Sequence, residues 1–192
     1  NELEKNPEAA MRKVAEMGYK NWETYPFDIT SKYNNGIGLN LKEGKVLLKE
    51  LGVNVFAAHL NYILFKEEEI EPFLDYQAEI GVWSPGLSIM YPLSLDELLF
   101  ECERINKTAE MCKARGMRFH YHNHFHEFAD VNGKYMMDII MENTDPDLVD
   151  FELDTYWAYR AGLDPLEIME RYKDRLVLLH QKDCSASVVG DR

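Results

Sequence analysis

The chain predicts an α/β protein on a parallel sheet, either a (β/α)8 barrel or a doubly wound sheet. Three observations carry this. Helical stretches and short apolar strands alternate along the 192 residues with short connections, an order that implies right-handed crossovers between parallel strands. Glu23, His59, His122, His124, Asp154 and His180 gather at the ends of predicted strands, where barrel enzymes build their sites. No GxGxxG or P-loop motif follows any strand, which weakens the nucleotide-binding sheet.

The elements follow in order. Asn6, Pro7 and Glu8 open a helix with an N-cap, a proline at the first helical position and an acid in the first turn. Met11, Val14 and Ala15 form its apolar face, and Gly18 ends it. Residues 19–23 are a short strand, and Asn34-Asn35-Gly36 is a loop. Leu41 to Leu51 is a helix with Leu47, Leu48 and Leu51 inward and Gly52 as its stop, and 53–59 is a strand. Glu67 to Ile80 is a helix with Pro72 inside and an acidic first turn, which suits the helix dipole. Residues 83–90 form a strand interrupted by Pro85-Gly86. Ser94 to Glu97 is a capping box that opens a long helix to Arg115. A histidine-rich strand at 118–128 comes next, then a helix at 134–143 and a strand at 148–154. Asp164-Pro165 opens a helix to about Lys173, and 176–180 is the last strand.

That makes six strands. No strand precedes the first helix, and 184–192 has no helix or strand pattern. A barrel lacking its first and last strands would have two bare edges. The expectation is a single domain over 1–192 from which part of a barrel is absent, with edges that favour self-association.

Composition narrows the function. A net charge of −13 without a basic stripe excludes nucleic acid as a partner. Hydrophobic content of 46% with 12% aromatics excludes disorder. No apolar run approaches membrane-spanning length and no signal peptide is visible. Cys102, Cys112 and Cys184 lack CxxC spacing and read as reduced thiols, which places the protein in the cytoplasm.

Four of the six histidines lie between Arg118 and Phe128. His120, His122 and His124 alternate with Phe119, Tyr121 and Asn123, so a strand puts three imidazoles on one face. Such a row is costly in a core unless each ring has a partner. A polar pocket holding a divalent metal accounts for it; a histidine-rich surface strand is the competing reading.

Tyr121-His122-Asn123-His124 followed by Glu127-Phe128 resembles the YHNH…EF signature of the sugar phosphate isomerase/epimerase family, the xylose isomerase-like TIM barrels. Asp154-Thr155-Tyr156-Trp157, Arg160 to Pro165, and Asp174-Arg175 leading to His180-Gln181-Lys182-Asp183 are similar to its second half, and Met17 to Glu23 to its first helix and second strand. The resemblance implies that the strands present are the second to the seventh. It also implies a divalent ion (Mn, Zn, Co or Mg) held by His122, Asp154 and His180. His122 stands where relatives carry a glutamate, and a further glutamate of the eighth strand has no counterpart here.

The implied activity is isomerisation or epimerisation of a sugar, sugar phosphate or cyclitol by proton abstraction next to a carbonyl. The alternatives are dehydration of a keto-sugar or cyclitol, and a catalytically inactive sugar-binding barrel. Glu127 and His124 are the catalytic candidates, an imidazole being able to exchange protons near neutrality. His59 is expected to bind a substrate hydroxyl, Lys182 a phosphate or enolate, and Trp157 to wall the sugar site. Glu152 shares strand parity with Asp154 and receives no role.

Overall fold

The computed structural model describes residues 5–25, 36–60, 62–65, 67–183 and 185. Asn34, Asn35, Cys184 and the stretch 186–192 lie outside the described residues. The helices are α1 (Pro7–Glu16), α2 (Leu41–Leu51), α3 (Glu67–Ile80), α4 (Leu95–Ala114), α5 (Met136–Asn143), α6 (Thr155–Arg160) and α7 (Pro165–Arg171). The strands are β1 (Asn21–Thr24), β2 (Asn54–Leu60), β3 (Ser84–Leu87), β4 (Phe119–His122), β5 (Val149–Asp154) and β6 (Leu176–His180). They divide into two compact units, Asn1–Leu87 with Met111–Arg118, and Ser88–Glu110 with Phe119–Arg192.

In the first unit β2 pairs in parallel with β1 and with β3. The Asn6 side chain accepts from the Ala9 N–H and starts α1. Gly52, at φ 61, ends α2 in the left-handed conformation. Met11, Ala15, Ile37, Leu47, Leu48, Val53, Val55, Ala58 and Val82 form the core. The third strand is shorter than the predicted 83–90, and Pro85-Gly86 lies within it.

In the second unit β5 pairs in parallel with β4 and β6. The register sets the chemistry. His122 lies beside Glu152, and Asp154 beside His180. The intervening Phe119, Tyr121, Phe151 and Leu153 are fully buried. The Glu97 N–H donates to Ser94 Oγ at 3.1 Å, and the Glu97 carboxylate accepts from the Leu93 N–H, so the predicted capping box closes one residue early. Helix α5 starts at Met136 rather than Lys134, because Lys134–Tyr135 pairs with Asp130–Val131 in a hairpin. Asn132 and Gly133 at its turn both take positive φ, the geometry an Asn-Gly hairpin turn requires. The Asp138 carboxylate accepts from Arg171 and from the Tyr172 hydroxyl, tying α5 to the end of α7. The Arg175 guanidinium donates to the carbonyls of Val149 and Met141 and to Thr144 Oγ1, fixing the start of β5.

Candidate functional site

The site of the second unit is built on the ends of β4, β5 and β6. Glu152, 1% exposed, is its centre. Its Oε2 lies 2.9 Å from His122 Nδ1 and 3.6 Å from His120 Nε2, and its Oε1 lies 3.3 Å from His180 Nε2. Ligand atoms of His122, Glu152 and His180 all fall within 4.8 Å of one another.

Asp154 closes the other side. Its Oδ2 lies 3.7 Å from His122 Nε2 and 3.6 Å from His180 Nδ1, and accepts from Lys182 Nζ. Its Oδ1 accepts from the N–H groups of Tyr156 and Trp157 and so caps α6. Burial alone would raise the Asp154 pKa, but contacts with His180, Lys182 and the Trp157 N–H outweigh it and hold the group at about 2. Its backbone is pinned by Asn123, whose Oδ1 accepts from the Asp154 N–H at 2.9 Å and whose Nδ2 donates to the Asp154 carbonyl.

The predicted ligands His122, Asp154 and His180 therefore come together, with Lys182 on Asp154. Strand β4 ends at His122, so His120 and His122 share its face while His124 lies just beyond. The His124 ring sits 5.2 Å from that of His122 and 5.1 Å from that of Trp157. Glu127 is fully buried. It accepts from the Tyr121 hydroxyl at 2.8 Å and from the His124 N–H at 2.7 Å, and burial raises its pKa. Trp157 lies under the Arg160 guanidinium and beside Tyr156 and Phe125. His59 belongs to the first unit, where its Nε2 lies 3.2 Å from Glu23 Oε1.

The sequence reading placed Glu152 on the Asp154 face but gave it no role, and it passed over Asn123. The signal for Glu152 was an acid two positions before Asp154, and hence on the same face of an otherwise apolar strand. The donor set suits a divalent ion. Imidazoles and carboxylates converge in a buried site, and the Lys182 ammonium already sits against Asp154 as a cation.

No family model matches the chain. A solved structure described as a sugar phosphate isomerase/epimerase from Parabacteroides distasonis superposes with a TM-score of 0.80. It is 29% identical and covers 100% of this chain and 73% of that one. A xylose isomerase domain containing protein from Salmonella typhimurium gives a TM-score of 0.68 at 17% identity, over 91% of this chain and 65% of that one. The chain has the xylose isomerase-like TIM-barrel fold, incomplete. Among curated sequences, an inosose dehydratase from Geobacillus kaustophilus is 38% identical over 85 residues, 44% of this chain and 27% of that protein. The match thus spans well under two thirds of that relative. Relatives of this TIM barrel are enzymes, both epimerases and dehydratases.

Proposed function

We propose that this TIM-barrel chain carries the metal-binding part of an enzyme that removes a proton beside the carbonyl of a sugar or cyclitol. The observation that carries the proposal is the approach of His122 Nε2 and His180 Nδ1 to Asp154 Oδ2, at 3.7 and 3.6 Å. These three residues would hold the ion, with manganese, cobalt, zinc or magnesium compatible with the set. A divalent ion held there supplies a Lewis acid for the carbonyl oxygen.

The remaining roles belong to the protein. The His124 imidazole is the base, since it sits beside the His122 ring and is only partly buried. Glu127 supports it by gripping the His124 backbone N–H, with the Tyr121 hydroxyl closing the grip. Lys182 offers an ammonium to the developing oxyanion, and Trp157 a flat wall to the ring of the substrate. Loss of water is the outcome favoured by the curated relative, which is named inosose dehydratase. Isomerisation or epimerisation is the second reading, favoured by the 29% identical structure described as an isomerase/epimerase. We place the enzyme in the cytoplasm, in keeping with the free, buried Cys102 and Cys112.

The test is a panel of keto-sugars and inososes incubated in heavy water with the metal-loaded chain. Dehydration gives a product lighter by one water. Epimerisation gives deuterium at the carbon beside the carbonyl with the formula otherwise unchanged. Failure of every panel member either to lose water or to exchange its proton, in protein that has bound metal, overturns the proposal.

A further inference from the structure

Asn123 is fully buried and bonded to both the proposed base and a proposed metal ligand. We propose that Asn123 is a positioning residue for proton abstraction: its amide ties the backbone of Asp154 to that of His124 and so holds the His124 imidazole beside His122. This rests on His124 being the base and deepens that role.

The ladder between β4 and β5 has its last rung at His122 and Glu152, while β5 runs on to Asp154. A buried peptide group facing a strand that has turned away costs stability unless something else meets it. Asn123 meets both such groups of Asp154. Its Oδ1 accepts from the Asp154 N–H at 2.9 Å, and its Nδ2 donates to the Asp154 carbonyl at 3.3 Å. A backbone N–H only donates and a carbonyl only accepts, so the orientation of the amide is fixed. The same Nδ2 donates to the His124 carbonyl at 3.2 Å, and the His124 N–H is taken by Glu127 at 2.7 Å. Both backbone groups of His124 are thus held by side chains of residues that are 0% exposed. Its ring then lies 5.2 Å from that of His122 and 5.1 Å from that of Trp157. Asp154 has a second hold through Oδ1, which caps α6. Loss of Asn123 therefore displaces the base more than the ligand, and a misplacement of about 1 Å can cost about 100-fold in rate.

Asn123→Ala removes all three bonds at once. In spectra of the isotope-labelled, metal-free variant, nuclear Overhauser contacts of the His124 ring with the rings of His122 and Trp157 should be lost, while those between Tyr156 and Trp157 persist. Retained His124 contacts overturn the proposal. With the inosose or keto-sugar that the metal-loaded wild type turns over fastest, kcat should fall about 100-fold at unchanged KM and unchanged manganese affinity. An unchanged kcat overturns the positioning role, as does a loss of manganese affinity as large as the loss of kcat. If the wild type acts on none of these compounds, the proposed reaction fails by itself, and the ring contacts still decide the role of Asn123. If Asn123→Ala does not fold, the wild type decides. A scalar coupling across the hydrogen bond from the Asp154 amide nitrogen to the Asn123 side-chain carbonyl carbon supports the bridge, and its absence overturns it.

Discussion

Replacing Asp154 separates two jobs carried by one side chain. Its Oδ1 caps α6 through the Tyr156 and Trp157 N–H groups, while its Oδ2 carries charge toward Lys182, His122 and His180. Asp154→Asn keeps the cap, because Asn and Asp cap about equally well, and removes the charge. Asp154→Ala removes both. Loss of the cap costs about 1 kcal/mol. The charge contact is discounted because the Lys182 side chain is 48% exposed, leaving about 0.5–1 kcal/mol. Without metal, urea unfolding should show Asp154→Asn less stable than wild type by at most about 1 kcal/mol, and Asp154→Ala by about 2. Manganese at about 100 times its Kd should then stabilise the wild type by about 2.7 kcal/mol and leave both variants unmoved. The acid limb gives a further check. A carboxylate held at about 2 stabilises fully above its ordinary value of 3.8, and that contribution is lost as pH falls from there toward about 2. Asp154→Asn should lack this part of the acid transition. An Asn variant that gains the whole metal increment, or an Ala variant no less stable than Asn, would refute the reasoning.

Glu127→Gln should destabilise by about 1–3 kcal/mol, since an amide cannot accept both from Tyr121 and from the His124 N–H, and amide exchange should quicken across 123–128. Burial raises the Glu127 pKa, so its ionisation opposes folding as pH rises above its ordinary 4.5, and the variant should lose that pH dependence. Asp138→Ala strands the buried Tyr172 hydroxyl and should cost about 1–3 kcal/mol in denaturant, with metal affinity unchanged. Burial pushes both Cys102 and Cys112 up to about 12, so peptide mapping after treatment with a thiol reagent should find both unmodified until the chain is unfolded.

Helix positions were legible because their caps and stops are local chemistry. Leu41–Leu51 and Glu67–Ile80 stand where periodicity and the following glycines put them. The hairpin around Asn132-Gly133 was missed although Asn-Gly is a strong turn signal, because a helical pattern was extended back over Lys134 and Tyr135. The six-residue α6 was missed as well. Its N-cap is Asp154, and that residue had been weighed chiefly as a ligand. That His122, Asp154 and His180 lie near one another was legible from their strand ends. The contacts of Glu152 were not, since they depend on the register that sets β4 beside β5, and pairing partners cannot be read from one strand alone. Burial of Glu127 was hidden for a similar reason. A loop acid in the sequence becomes a buried anchor only once Tyr121 and the turn back from β4 enclose it.

The most direct test of the metal site is elemental analysis of the purified chain after loading with manganese, cobalt and zinc in turn. The wild type should retain about one ion per chain, as a single set of three ligands predicts, and the paired substitution Asp154→Ala with His180→Ala should retain none. A wild type that holds no stoichiometric metal, or a double variant that holds as much as the wild type, would contradict the account.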